Sequence, residues 1–489
     1  MDKKSGILMP IFSLPSKYGI GSFGKWAYKF ADFLKRSGQT YWQILPLVPT
    51  GYCDSPYQTV CGDAGNPYFI DLEVLRDKKL LTYREVESAI DKGERINYGR
   101  LYQERFALLR KAYSRFDKSD GAFLKFLKQG EYNDYALFMA LSEKYKTDWN
   151  LWPKVFSERD KTALARFFAE EKDEILFWQF LQFEFRLQYF ALKKYVNKLG
   201  IKIIGDLPLY PSFNSVEVWA NTSVFMLDKE HNPIKVAGVP PDYFSKNGQL
   251  WGNPVYDYSS EKVISYWKNR VARARKTFDL VRIDHFRGLD RFWAVDPRSE
   301  TAENGEWLSA RGRDIFRAVG TENVIAEDLG ILDDGVYSLI KDLELPGMKV
   351  LSFAFDGDEN NAYLPWNIGY NSVVYTGTHD NDTLVGYIKS LDETTLDKEK
   401  VLIQKSLEYL NIYKSLKGVR AVADAIINIA YASAAKIAII PIQDHLGLGS
   451  EYRINTPATV GCWQTRIKES VFTDTLEKSI KRLNRRYGR

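Results

Sequence analysis

Acidic residues stand at the ends of five short apolar segments of this sequence. They are Asp206, Asp284, Glu327, Asp380 and Asp444. Arg282 lies two positions before Asp284, so both side chains point to the same side of an extended segment. Carboxylates that are brought together raise one another's pKa, which is unfavourable unless they are used or neutralised. Five acids in equivalent positions therefore predict one shared site.

Acids at strand ends can also serve as helix caps or as metal ligands. Asp328 and Asp382 are candidates for caps, because an acid that follows a strand often caps the next helix. Carboxylates can also hold a cation. However, the sequence contains no metal-ligand spacing such as His-x-x-x-His, and a metal site would leave Arg282 unexplained. We therefore expect neither a metal nor a cofactor.

The chemistry that fits two carboxyl groups, one arginine and many aromatic rings is the cleavage of a glycosidic bond. One carboxylic acid protonates the leaving oxygen, and the other carboxylate attacks or activates water. An arginine beside the attacking group keeps it ionised. His285 and His379 each adjoin one of the acids and are expected to donate hydrogen bonds to sugar hydroxyls, whereas His445 is equally consistent with a structural role.

The elements that must position these residues form a repeating pattern. Eight short apolar runs alternate with helical patterns such as Phe23–Ser37, Glu261–Thr277 and Thr465–Asn484. This alternation predicts a (β/α)₈ TIM barrel, whose functional residues lie at the carboxyl ends of the strands. An open, doubly wound sheet ranks second, because no Gly-x-Gly-x-x-Gly motif follows the first strand. The predicted strands are Ile7–Leu14, Tyr41–Val48, Ile201–Pro208, Leu280–Asp284, Val324–Asp328, Lys349–Phe355, Ser372–Thr378 and Lys436–Gln443.

Uneven spacing of the strands predicts the domain organisation. We expect one catalytic barrel domain over residues 1–489, with two insertions on its functional rim. The first, about 51–199, reads as a helical subdomain between strands two and three. The second, about 210–258, reads as a loop-like region between strands three and four. The stretch after strand eight has room for a loop and a closing helix, but not for a C-terminal β-sandwich.

Composition excludes several classes of protein. The 489 residues are 45% hydrophobic and 27% charged, which is typical of a globular chain and not of a disordered one. The net charge of +5 is spread evenly, so we expect no nucleic-acid partner, and no apolar run predicts a membrane span or a signal peptide. Three cysteines indicate a reducing compartment, and we expect a cytoplasmic protein. The aromatic content of 14% suits ligands with flat apolar faces, such as sugars.

Several motifs resemble one known family. Arg282-Ile283-Asp284-His285, Ala326-Glu327-Asp328 and Thr378-His379-Asp380 are similar to motifs of the α-amylase clan. The sequence resembles more narrowly the 4-α-glucanotransferases, also called amylomaltases or disproportionating enzymes. The more specific motifs are Asp54-Ser55-Pro56-Tyr57-Gln58, Pro240-Pro241-Asp242-Tyr243-Phe244-Ser245, Gly248-Gln249-Leu250-Trp251-Gly252-Asn253-Pro254 and Arg453-Ile454-Asn455-Thr456-Pro457.

The resemblance implies a role for each matching residue. Asp284 would be the nucleophile, Glu327 the general acid and base, and Asp380 the third carboxylate that stabilises the transition state. Maltooligosaccharides and α-1,4-glucans would be the substrates, and a retaining double displacement would move glucan segments from donor to acceptor. The implied substrate-binding residues are Tyr52, Ser55, Tyr57, Asp206, Gln249, Trp251, Arg282, His285, His379 and Asn455.

One departure and several alternatives stay open at this point. The family pattern Asn-Trp-x-Trp-Arg reads here as Cys462-Trp463-Gln464-Thr465-Arg466, which places the detail of the rim in question. The first alternative function is an α-amylase-type hydrolase. Others are a catalytically silent glucan-binding protein, which the complete set of acids disfavours, and a phosphorylase, for which the sequence offers no phosphate-binding motif. Donor size, cyclisation of glucans, oligomeric state and pathway are not determined by the sequence.

Overall fold

The computed structural model describes residues 2–241, 246–330, 332–457 and 459–489. Its centre is a closed barrel in which eight parallel strands each pair with two neighbours. Across the described ranges the strands are Lys4–Leu8 (β1), Tyr41–Gln43 (β2), Lys202–Leu207 (β3), Val236–Val239 (β4), Gln249–Pro254 (β5), Leu280–Ile283 (β6), Arg291–Val295 (β7), Gly305–Ser309 (β8), Val324–Ala326 (β9), Gly347–Val350 (β10), Ser372–Tyr375 (β11) and Ile437–Pro441 (β12).

The barrel confirms the predicted (β/α)₈ fold. Its order is β1-β2-β3-β6-β9-β10-β11-β12, so that each barrel strand pairs with the next one along the chain and β12 closes on β1. Most of its residues are buried on both faces, as the apolar runs predicted. The predicted bounds were too long at several ends. Apolar residues after β1, for example, remain buried while Pro10 turns the chain into a short 3₁₀ helix, Ile11–Ser13.

Helices surround the barrel and occupy the long connections. The 27-residue helix Lys172–Lys198 (α9) packs against α1 and β3. Smaller helices of the connection between β2 and β3 pack against α9. The α-helices are Lys25–Arg36 (α1), Leu72–Asp77 (α2), Tyr83–Ser88 (α3), Tyr98–Arg115 (α4), Gly121–Gln129 (α5), Asn133–Tyr145 (α6), Lys154–Ser157 (α7), Lys161–Glu170 (α8), Lys172–Lys198 (α9), Val216–Ala220 (α10), Lys262–Thr277 (α11), Gly312–Val319 (α12), Asp334–Asp342 (α13), Leu384–Ser390 (α14), Glu393–Tyr409 (α15), Val419–Ala432 (α16), Ile442–Leu446 (α17) and Asp474–Tyr487 (α18).

A small antiparallel sheet corrects the expectation of a loop-like segment at 210–258. That segment contains α10, β4 and β5, and the two strands join β7 and β8 in the order β5-β4-β7-β8. The strands β5 and β8 are largely half-exposed, so they lack the continuous apolar runs that marked the barrel strands. This sheet holds Gln249 and Trp251 in regular extended backbone beside the barrel.

The closing helix also begins later than predicted. The sequence pattern placed it at Thr465–Asn484, whereas α18 begins at Asp474 with Thr473 as its N-cap. The preceding segment contacts the loop that follows α17 instead, since the Thr465 hydroxyl donates to the backbone oxygen of Arg453 at 2.8 Å. No helix in the described part of the chain is long and apolar enough to cross a membrane.

Candidate active site

A buried guanidinium organises the carboxyl ends of the barrel strands. Arg282 on β6 lies beside Asp206 of β3 in the sheet register, and only 3% of its side chain is exposed. Its Nη1 atom donates to the two carboxylate oxygens of Asp206 at 2.8 and 2.7 Å, and lies 2.9 Å from Oδ1 of Asp284. Its Nη2 atom lies 4.0 Å from Oε2 of Glu327. One cation therefore faces three converging acids, and it lies on the side of Asp284, as the spacing of the two residues predicted.

Glu327 is held by the backbone that follows β6. Its Oε2 accepts from the amide of His285 at 2.6 Å, and its Oε1 accepts from the amide of Leu329 at 3.0 Å. His285 adopts a left-handed conformation with a φ of 46°, and its backbone amide donates to Glu327 directly after Asp284. Such backbone is uncommon outside glycine. The hydrogen bond from this amide to the Glu327 carboxyl group stabilises it.

Burial and charge set the pKa values of the two carboxyl groups. Burial raises the pKa of Asp284 to about 7 and that of Glu327 to about 8, and in both cases Arg282 opposes the increase. Asp284 lies closer to the guanidinium, which favours its ionised form more strongly. The side chains of Asp284 and Glu327 keep 25% and 11% of their surface exposed, so both reach the open cleft. The pair can therefore exist as one carboxylate and one carboxylic acid near neutral pH.

Asp380 lies after β11 and completes the set of acids. The amide group of Asn455 donates to its Oδ1 at 2.6 Å, and Nε2 of His379 lies 3.3 Å from its Oδ2. Burial lowers the pKa of His379, so the imidazole is neutral and acts as a hydrogen-bond partner rather than a charge. With 42% of its side chain exposed, Asp380 faces the cleft and can accept from hydroxyl groups there.

An aromatic floor lies beneath the acids. The Tyr57 ring stacks on His379, with centroids 5.1 Å apart and planes 11° apart, and its hydroxyl donates to Asp206 at 2.6 Å. Trp463 packs behind both rings, at 5.6 Å from Tyr57 and 5.8 Å from His379. The sequence marked Trp463 only as part of a departure from the family pattern, and this supporting role was missed. Its neighbour Cys462 accepts a hydrogen bond from the amide of Thr456 at 3.3 Å within the same rim loop.

The opposite wall of the cleft comes from β5. The Trp251 ring meets the edge of His285 at 4.7 Å and 84°, and its indole nitrogen donates to Oε1 of Gln249 at 3.3 Å. Burial lowers the pKa of His285 to about 3, so this imidazole is also neutral. The motif residues Asp242, Tyr243, Phe244 and Ser245 lie outside the described residues.

Two further predicted binding residues lie on the loop before Tyr57. Tyr52 is 79% exposed in a short 3₁₀ turn at the outer end of this loop. The Ser55 hydroxyl accepts from the amide of Tyr57 at 3.2 Å and shapes the turn that presents that ring. The structure therefore places Tyr52 at the rim and gives Ser55 a contact within the loop.

The fifth strand-end acid does not join the cluster around Arg282. Asp444 lies in α17, where it accepts from the Thr376 hydroxyl at 2.6 Å and from the amide of Leu384 at 2.8 Å. The next residue, His445, is buried, and its ring packs against Tyr431 of α16. This supports the structural role for His445 rather than a role at the sugar. Asp444 therefore ties β11 and α14 to the end of β12.

The expectation that Asp328 and Asp382 cap helices was wrong. The N-caps of α13 and α14 are Asp333 and Thr383. Asp328 instead accepts from the amide of Met348 at 2.5 Å, and Asp382 accepts from the hydroxyl of Ser450 at 2.7 Å. Both acids thus join neighbouring segments of the rim. Among the described residues, no group of three or more His, Cys, Asp or Glu side chains is arranged to hold a metal ion.

Comparison with known proteins gives the family of the chain. A family model described as 4-alpha-glucanotransferase matches residues 9–472. The 4-alpha-glucanotransferase of Clostridium butyricum is 44% identical over 98% of this chain and 100% of its own length, and that of Thermus thermophilus is 40% identical over 94% of both chains.

Solved structures agree with this result. The amylomaltase from Streptococcus agalactiae in complex with acarbose superposes with a TM-score of 0.93 at 33% identity, covering 100% of this chain and 99% of its own. The amylomaltase from Corynebacterium glutamicum, at 18% identity and a TM-score of 0.77 over 98% of this chain and 75% of its own, shares the fold. Together these matches show that the chain belongs to the 4-alpha-glucanotransferase family.

Proposed function

We propose that this enzyme transfers segments of α-1,4-glucan from a donor maltooligosaccharide to the 4-hydroxyl of an acceptor glucan or glucose. The observation that carries the proposal is the pair Asp284 and Glu327, which share the guanidinium of Arg282 but differ in pKa and in distance to it. Family membership supports the same reaction, which belongs to starch and glycogen metabolism.

In the first half of the reaction the donor chain is cleaved. Asp284 attacks the anomeric carbon of a bound glucose unit while Glu327 passes its proton to the glycosidic oxygen. The C–O bond to the leaving chain breaks, and a covalent glucosyl-enzyme ester forms on Asp284. This route requires the two carboxyl groups to lie about 5–5.5 Å apart, as in other retaining enzymes. Asp284 lies closer to the guanidinium of Arg282, which favours its ionised form and the role of nucleophile, and Glu327 serves as the acid.

In the second half an acceptor takes the glycosyl unit. Glu327, now a carboxylate, removes the proton of the acceptor's 4-hydroxyl as that oxygen attacks the anomeric carbon. The ester bond to Asp284 breaks, and the product keeps the α configuration after two inversions. Glu327 recovers its proton and is ready for the next donor.

The remaining residues would hold the sugar where the bond breaks. Asp380 and His379 would receive and donate hydrogen bonds at the sugar hydroxyls, and Tyr57 would stack beneath the ring. Asp206 and Arg282 would fix Asp284. Trp251, with Gln249 beside it, would form the acceptor platform that favours a sugar over water. Tyr52, Ser55, His285 and Asn455 complete the proposed binding set.

Incubation with maltotriose alone tests the function. A transferase produces glucose together with a ladder of longer maltodextrins, while the total number of reducing ends stays constant. A hydrolase of the α-amylase type, the alternative, gives only shorter products with rising reducing ends. The hydrolytic result would overturn the proposal.

Further proposals concern location, partners and domains. We place the protein in the cytoplasm because its three cysteines, Cys53, Cys61 and Cys462, are free thiols. Maltooligosaccharides are the proposed partners, without nucleic acid or membrane, since positive and negative charges are spread along the chain. The chain would form one catalytic domain over residues 1–489, with insertions at about 51–199 and 210–258.

A further inference from the structure

A single side-chain amide joins the two walls of the cleft. Gln58 follows Tyr57 in the chain, and its Nε2 atom donates to the backbone oxygen of Trp251 at 3.3 Å and to Oδ1 of Asn253 at 3.0 Å. Its Oε1 atom accepts from the hydroxyl of Ser212 at 3.0 Å. The amide therefore ties the loop that carries Tyr57 to β5 and to the segment that follows β3.

Both attachment points of this bridge are fixed. Asn253 is 4% exposed, and its own amide donates to the backbone oxygen of Pro211 at 2.9 Å. On the other side, Gly51 closes the loop against the backbone of Gln58. A Cβ atom at Gly51 would lie 1.6 Å from the Gln58 oxygen, so only glycine permits this close approach. The bridge thus connects a closed loop to a buried anchor.

In the proposed reaction one wall of the cleft binds the sugar that is cleaved and the other binds the acceptor. Tyr57 touches Asp206 and His379, which belong to the site of the cleaved sugar. Trp251 touches His285 and belongs to the acceptor side. Asp284 and Glu327, by contrast, are held by Arg282 and by backbone amides, and among the described residues neither forms a hydrogen bond or ion pair with Gln58.

We propose that Gln58 is a positioning residue that sets the spacing between the floor of the cleaved sugar and the acceptor platform. This inference rests on the proposed transferase function. When the bridge is removed, the carboxyl groups still form the covalent intermediate, but the acceptor hydroxyl is less well aligned. Reactions that join two partners are sensitive to such misplacement, whereas water needs no platform. The choice between sugar and water at the intermediate therefore depends on Gln58.

The test measures how the intermediate divides between the two acceptors. Maltotriose serves as donor and labelled glucose as acceptor, and the ratio of labelled maltodextrins to new reducing ends gives the partition. Gln58→Ala removes all three hydrogen bonds. Gln58→Glu keeps the size and the bond from Ser212, but loses both donated bonds. Ser212→Ala removes only the accepted bond.

We expect a graded result. The transfer-to-hydrolysis ratio should fall about 10-fold in Gln58→Ala and Gln58→Glu and about 3-fold in Ser212→Ala, from the usual worth of one to two neutral hydrogen bonds. The KM for glucose should rise in the same order. The kcat/KM for maltotriose should fall as well, because its leaving glucose occupies the acceptor platform, whereas kcat/KM for maltosyl fluoride, whose leaving group needs no platform, should stay within about 3-fold.

Asn371→Ala is the matched control, since this amide also joins two segments, through the backbone oxygen of Glu344 at 3.0 Å, but at the amino ends of β10 and β11. It should leave the partition unchanged. An equal loss of cleavage of maltosyl fluoride and of transfer, or an unchanged partition in both Gln58 variants, would overturn the positioning role. If the unaltered enzyme itself gave only hydrolysis, the proposed function would fail instead.

Discussion

The pH dependence of kcat/KM should report the two carboxyl groups separately. Asp284 must be ionised to attack and has a raised pKa of about 7, so activity is lost as pH falls below that value. Glu327 must be protonated to release the leaving oxygen and has a raised pKa of about 8, so activity is lost as pH rises above it. The profile should be a bell centred near pH 7.5.

The expected size of each limb follows from the same values. At pH 5.5 about 3% of Asp284 is ionised, which makes kcat/KM roughly 20-fold lower than at the optimum. At pH 9 about a tenth of Glu327 is protonated, which gives a decrease of about 7-fold. Both groups belong to the free enzyme, which is the state that kcat/KM reports.

A donor with a better leaving group makes the assignment testable. Maltotriosyl fluoride releases fluoride without protonation, so its kcat/KM no longer needs the proton of Glu327. With this donor and excess glucose, the alkaline limb should disappear while the acid limb stays near pH 7. Glu327→Gln should cleave the fluoride at a nearly pH-independent rate above pH 8 but cleave maltotriose about 10² to 10⁴ times more slowly. An alkaline limb that persists with the fluoride would refute the role of Glu327, and loss of the acid limb would refute that of Asp284.

Three more substitutions probe the site and its support. Asp284→Ala should reduce transfer from maltotriose by at least about 10⁴-fold with a nearly unchanged Tm, because a strand-end acid in the cleft contributes little packing; retained turnover would exclude it as nucleophile. Tyr57→Phe keeps the stack on His379 but loses the hydrogen bond to Asp206, so kcat/KM should fall about 10-fold. An unchanged kcat/KM would mean that this hydrogen bond does not contribute to catalysis. Glu217, buried in α10, has its pKa raised to about 7, so the folded state loses stability as pH rises from about 4.5 to 7. Thermal unfolding at pH 5 and pH 8 should show a smaller decrease in Tm for Glu217→Gln than for the unaltered chain, and parallel decreases would contradict this reasoning.

The barrel and its acids could be predicted because both follow from local sequence. A strand buried on two faces needs a continuous apolar run, and its carboxyl end is a fixed place in the fold. Asp284 and Glu327 stand at such ends, next to β6 and β9. The alternation of side chains along β6 even places Arg282 on the side of Asp284.

The small sheet, the contacts of Gln58 and Trp463 and the orientation of Asp444 depend on residues that are distant in the sequence, so no local sequence pattern predicts them. The strands β5 and β8 are largely half-exposed, so their sequences resemble loops until they pair with β4 and β7. Gln58 and Trp251 are 193 positions apart, and Trp463 reaches Tyr57 from the far end of the chain. Asp444 resembled the other strand-end acids, yet its backbone enters α17 at once and turns the carboxylate toward Thr376. These contacts follow from the closed barrel as a whole.

Unequal distances to one cation favour opposite roles for the two acids. Oδ1 of Asp284 lies 2.9 Å from the guanidinium of Arg282, and Oε2 of Glu327 lies 4.0 Å from it. At an effective dielectric constant of about 20, this difference favours the ionised form of Asp284 by about 1.6 kcal/mol, which is roughly one pKa unit. Asp206 holds Nη1 of the guanidinium in place through two hydrogen bonds, so the asymmetry is built into the strand ends. Arg282→Lys keeps the positive charge but loses the planar guanidinium, whose two hydrogen bonds to Asp206 fix its position. The cation would then favour Asp284 less strongly, so the two limbs of the pH profile should move closer together.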